Sequence, residues 1–238
     1  GDCVLLGQLA ATYLNDPFVL NQSQGRLPIR SLFSLGYLSF GPLVLNYLLW
    51  LIRRSRECGI DKLLFFARDG YVLHRLYRRL VKLSGDDSAE AIYFLTSRRS
   101  ASVAAIKTES DIAFVINHMC KVRNATVRQV LARAFSVEAD VGDAVANRPY
   151  YEMSNEELIQ HVTHRYEDRI LRGAATERQG YLRYVDTLGL RDKDALGCVN
   201  FVGRGVTQRC IARLLDRSLS GFYFGREPDI LDICHPPD

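Results

Sequence analysis

Four apolar runs in this chain each lead into a loop that carries arginine: Phe66-Ala67-Arg68-Asp69-Gly70-Tyr71, Leu95-Thr96-Ser97-Arg98-Arg99, Val202-Gly203-Arg204-Gly205 and Phe224-Gly225-Arg226. A guanidinium offers a planar fork of donors that matches phosphate or carboxylate, so Arg68, Arg98, Arg99, Arg204 and Arg226 are the residues expected to converge on an anion. Asp69 adds a carboxylate, able to act as a general acid or base or to bind magnesium. The alternative for Asp69 is a helix cap before Tyr71, or an ion pair with Arg68. Gly203-Arg204-Gly205 would let backbone N–H groups approach an anion at a helix start, or would simply make a tight turn. Thr207 and Gln208 follow as neutral hydrogen-bonding groups, and Gly70 and Ser97 complete the candidate set. The glycine loop is neither a dinucleotide fingerprint, since Gln208 stands where a third glycine is needed, nor a Walker loop, since no Gly-Lys-Ser/Thr follows.

These loops need rigid elements behind them. Lys62–Ala67, Ala91–Thr96, Gly197–Val202 and Leu219–Phe224 read as buried parallel strands, being apolar without polar alternation. Helical periodicity follows the first three: Tyr71–Leu83, with Val72, Leu73, Leu76, Leu80 and Val81 on one face, a short helix near Ala101–Ile106, and Arg209–Leu215. The fold class expected is α/β, an open, mostly parallel, Rossmann-like sheet with helices on both faces and a helical insertion. In such sheets ligands gather at the carboxyl ends of the strands, where the arginines fall. Residues 58–106 and 194–238 form the α/β core. Residues 107–193 form a helical insertion or cap, with helices at Asp111–Cys120 and Thr126–Phe135 and a long pair from Ser154 to about Leu190. Ser154 and Glu157 have capping-box spacing.

Residues 1–57 are read as an N-terminal helical segment packing on the core: a helix at Val4–Leu14, a loop at Asn21–Arg30, then two buried helical pieces, the second starting at Pro42. Ser31 to Ile52 holds no charged residue. Its length also suits a membrane span, and a membrane surface is therefore kept as a partner. His161 and His164 share a helix face without a third ligand and are read as a solvated pair.

The net charge of +4 combines 31 Lys and Arg with 27 Asp and Glu, mixed along the chain. Without a basic stripe or a recognisable module, nucleic acid is not an expected partner. Six cysteines without a Cys-x-x-Cys pair suggest reduced thiols and a cytoplasmic location. Both ends of the chain suggest a domain excised from a longer polypeptide, whose other domains would be partners.

Leu35-Gly36-Tyr37 with Gly41-Pro42, Trp50, Phe66-Ala67-Arg68-Asp69-Gly70-Tyr71 and Tyr93 with Ser97-Arg98-Arg99 together resemble the C-terminal region of bacterial haloacid-dehalogenase-like (HAD-like) predicted hydrolases associated with surface polysaccharide synthesis. The resemblance implies a HAD-like core that handles a sugar phosphate or nucleotide sugar, in the cytoplasm or at the inner face of the cytoplasmic membrane. The family's Asp-x-Asp motif would fall on Ala67-Arg68-Asp69, leaving alanine at the nucleophile position, and Thr96 or Ser97 would match its phosphate-binding hydroxyl. Asn200 stands where an acidic pair would hold magnesium, so that ion is implied only for a phosphatase.

Overall fold

The computed structural model describes residues 31–85, 88–119, 125–190 and 193–226. The helix expected at Val4–Leu14 and the loop at Asn21–Arg30 lie outside these. Two compact units are present, Gly1–Glu57 and Cys58–Asp238.

In the first unit, Ser31 accepts a hydrogen bond from the Ser34 amide and starts α1, Leu32–Leu35. A π turn, Gly36–Phe40, carries α1 without a break into α2, Gly41–Glu57. The two pieces expected from the sequence are thus one continuous helix. Pro42 has no N–H to donate back, and the wider turn before it accommodates its ring. Tyr47, Leu48, Leu51, Ile52 and Ser55 are buried, whereas Leu32, Phe33, Phe40, Leu43 and Leu49 are exposed. By length and composition Leu32–Glu57 is apolar enough to cross a membrane, with a mean hydropathy of 1.5 over its most apolar window.

The second unit is built on four strands: β1 (Lys62–Phe66), β2 (Glu90–Phe94), β3 (Leu196–Gly203) and β4 (Ser220–Arg226). All neighbours are parallel in the order β2-β1-β3-β4, with Phe65 opposite Tyr93 on one side and Val199 on the other. Alternate side chains of a strand face opposite ways. Phe65 meets His74 and Tyr77 of α3 (Gly70–Ser84), while Leu64, Phe66 and Cys198 share a core with Val206, Cys210, Ile211 and Leu214 of α8 (Val206–Leu215). Helices therefore cover both faces. The buried stripe of α3 is Gly70, Leu73 and Tyr77, and not the expected one containing Val72 and Leu76, which are exposed. Tyr77 anchors the stripe by donating to the Ala89 carbonyl.

The long insertion has its own core. It follows α4 (Arg98–Ala104), which belongs to the α/β core, and comprises α5 (Glu109–Met119), α6 (Val127–Val130) with a π turn at Leu131–Phe135, short 3-10 turns at Val145–Asn147 and Tyr150–Glu152, and α7 (Asn155–Asp186). Ser154 and Glu157 form the capping box read from their spacing. Instead of a helix pair, α7 is one element of 32 residues, about 48 Å long at 1.5 Å per residue. No proline interrupts it, and a Cβ added at Gly173 or Gly180 would meet nothing within 4 Å. Leu158, Val162, Tyr166 and Ile170 pack in the insertion core, whereas Tyr181, Tyr184 and Val185 pack against the sheet core. One helix thus ties both cores together.

Candidate functional site

The connection from β1 leads to β2 on one side, and β3 lies on the other side of β1. That reversal of direction is the topological switch point, where the loops leaving β1 and β3 part toward helices on opposite faces of the sheet. The loop after β1 holds Arg68, Asp69 and Gly70; the loop after β3 holds Arg204 and Gly205.

Sterics shape the first loop. A Cβ on Gly70 would lie 2.8 Å from the Phe65 carbonyl carbon, so only glycine lets α3 start this close to β1. Ala67 extends the strand pairing by donating to the Phe94 carbonyl, and the Ala67–Arg68 peptide is cis. Asp69 occupies the N-cap position of α3, yet its backbone is already helical (φ −65°, ψ −31°) and its carboxylate caps no amide. Its contact is with Arg68 Nε at 3.4 Å, across side chains that are 94% and 48% exposed. A pair this open is worth little, leaving both groups available to solvent or ligand.

The β3 loop turns through Gly205 at φ +82°, a conformation suited to glycine, and α8 begins at the next residue. Arg204 is exposed and Thr207 half-buried. Gln208 points inward: its amide donates to the Leu219 carbonyl at 2.6 Å and its oxygen accepts from Tyr223 at 2.8 Å. It braces α8 against β4. Asn200 is likewise occupied, its side-chain oxygen accepting from the Phe201 amide.

Beyond β2, Ser97 is the N-cap of α4 in a reciprocal box with Ser100, each side chain accepting from the other's amide at 3.0 Å. Arg98 is the first helical residue and is exposed. Arg99 is engaged elsewhere, with Glu177 at 2.8 Å, the Ser136 hydroxyl at 2.6 Å and the Arg133 carbonyl at 3.1 Å. It fastens the insertion to the end of β2. Arg226 closes β4, and its side chain lies outside the described residues.

Sequence reading passed over Tyr181 and Tyr184 of α7. Tyr181 donates to Thr96 Oγ1 at 2.7 Å and Tyr184 accepts from the Leu95 amide, also at 2.7 Å, so α7 meets the carboxyl end of β2. Burial raises the pKa of both phenols and keeps them protonated. Their spacing on a single helix face was the available signal. His74 lies beneath Tyr93 and beside Phe65, and burial lowers its pKa, favouring the neutral ring.

The strand ends therefore bring together Arg68, Asp69, Gly70, Arg204 and Gly205 at the switch point, with Ser97 and Arg98 one strand away. Asp69 is the carboxylate these loops supply, and no group of three or more His, Cys, Asp or Glu suited to a metal occurs among the described residues. This donor set does not fit a magnesium centre of the phosphatase kind, and no step through such an ion is derived. The chain matches no protein-family model and no curated protein.

Proposed function

We infer that the second unit is a ligand-handling domain of a bacterial cell-surface polysaccharide biosynthesis protein, binding a phosphorylated or nucleotide-linked sugar at the strand ends. The observation that carries this reading is the position of exposed Arg68 and Arg204 on the two loops bordering the switch point, with Arg98 on the next. Two guanidinia on the loops of neighbouring strands suit the oxygens of a phosphate or diphosphate. On this reading Asp69 and the Gly205 backbone hydrogen-bond sugar hydroxyls. Ala67 at the position of the missing nucleophile favours recognition over phosphoryl transfer, since a methyl group cannot attack phosphorus. The bacterial polysaccharide context comes from the resemblance in residues 35–100.

Thermal shift against a panel of sugar phosphates and nucleotide sugars tests this, because a ligand that binds only the folded state raises its melting temperature. Stabilisation by at least one member, reduced in Arg68→Gln and Arg204→Gln, is expected. Indifference to every anion in the panel defeats the reading. Magnesium-dependent hydrolysis of a generic phosphate ester, lost in Asp69→Asn, would instead establish a HAD-like phosphohydrolase.

A second reading is favoured by the apolar helix Leu32–Glu57, whose Phe33, Phe40, Leu43 and Leu49 are exposed. On this reading the chain is a non-catalytic interaction module that docks on a membrane surface or partner domain. Liposome flotation abolished by Leu49→Glu would support it, and a chain that never floats removes its membrane form.

A further inference from the structure

On the flank of α8, one turn beyond the Gly205 loop, a cavity of about 210 Å³ opens between α4, α5 and α8. Its charge is unbalanced. Arg213 makes a two-point pair with Asp111, which is 7% exposed at the side chain. Asp111 also accepts from the amides of Lys107 and Thr108 at 2.8 and 2.9 Å and from the Thr108 hydroxyl at 2.9 Å. Arg209 stands one helical turn before Arg213, so two guanidinia face one carboxylate in this cavity. Among the described residues Arg209 has no carboxylate partner. Its guanidinium lies over the Phe114 ring, 5.3 Å from the centroid, and that ring is held on α5 by stacking with His118 at 4.2 Å. An arginine stacked on an aromatic face is oriented while its donors stay unspent. The Ser110 hydroxyl on the same wall is spent on Thr108 Oγ1, which itself donates to Asp111, and Ser102 pairs with Cys210 Sγ.

The geometry points to this cavity as a second anion site, taking a compact oxyanion of the inorganic phosphate or small carboxylate class on Arg209 beside Arg213. Its volume is below the range of roughly 300–1,000 Å³ usual for larger organic ligands, which excludes a nucleotide sugar and separates it from the strand-end site. The ordered, uncompensated guanidinium supplies the affinity, and the Asp111–Arg213 pair forms the wall that keeps α5 and α8 apart.

The test is calorimetric titration of the whole chain with inorganic phosphate, and separately with malonate, at low ionic strength. It is done in an Arg68→Gln/Arg204→Gln background, so that binding at the strand ends does not contribute. Saturable binding by phosphate, malonate or both is expected to persist in that background. Adding Arg209→Gln should weaken it by about tenfold or more, the loss of one charge-assisted hydrogen-bonding group, and Arg209→Lys should retain part of it. Phe114→Leu, which keeps an apolar side chain but removes the ring that orients Arg209, should weaken it as well and serves where Arg209→Gln lowers the yield of folded protein. Absence of binding in the double variant overturns the proposal, and so does binding indifferent to both Arg209→Gln and Phe114→Leu.

Discussion

The arginines of this chain look alike in sequence and differ in what surrounds each guanidinium. Arg99 is spent on Glu177, Ser136 and a carbonyl, so Arg99→Ala should cost about 1–2 kcal/mol of stability in urea unfolding and leave ligand affinity unchanged. Arg68, whose side chain is 94% exposed, should behave oppositely: Arg68→Gln should lower affinity for a stabilising sugar phosphate roughly tenfold and leave the melting temperature of the free protein nearly unchanged. Gly70→Ala forces a methyl into the Phe65 backbone and should destabilise by about 1–3 kcal/mol, read from the urea midpoint. Its neighbour Asp69, which caps nothing, tolerates Asn without loss of stability.

Among the elements, α7 carries most of the cross-connections, and its charged partners set a pH dependence. Arg169 and Arg165 donate to Asp140 at 2.7 and 2.9 Å, and this holds the Asp140 carboxyl below the usual range. Burial pushes Asp143 upward, but hydrogen bonds from Tyr166 and His161 outweigh it and leave the carboxyl lowered. A carboxyl with a depressed folded-state pKa stabilises fully above its unfolded value, near about 4, and loses that contribution as pH falls through the folded value. The insertion is therefore expected to lose stability on acidification below about pH 4, with a shallower dependence in Asp143→Asn, measured as urea midpoint against pH. Asp143 Oδ1 also accepts the amides of Val145 and Ala146, so the same residue ties the preceding loop to α7. At α4, Ser97→Ala removes the N-cap and should cost about 1 kcal/mol.

At the scale of the molecule, the sheet order converts separate loops into one place. The β2-β1-β3-β4 arrangement puts the two most exposed arginine loops side by side although their sequence positions are some 130 residues apart. The insertion, with its own apolar core, is fastened at this end of the sheet through Arg99 and at Thr96 through Tyr181. Disconnecting it tests that role: Tyr181→Phe combined with Arg99→Gln should broaden the thermal transition, as the insertion core begins to unfold apart from the sheet core.

Elements with a local cause were legible in the sequence. Short apolar runs bounded by turn residues read as buried strands, so β1 to β4 and the α/β class follow from composition over a few residues. Ser154 and Glu157 declare a helix start because a hydroxyl and a carboxylate three residues apart satisfy each other's amides. What long-range packing decides was not legible. Nothing near Arg99 in sequence names Glu177, 78 residues away, as its partner. Gln208 reads as a ligand donor until Leu219 and Tyr223 close around it. Val72 and Leu76 fit an apolar helix face, and only the position of β1 selects the adjacent stripe through Gly70, Leu73 and Tyr77. The sequence by itself determined that arginine-bearing loops would follow buried parallel strands, because hydrophobic periodicity is local. Tertiary structure alone decided which guanidinia remain for a ligand, because a charge is satisfied by whichever partner the fold brings within hydrogen-bonding distance.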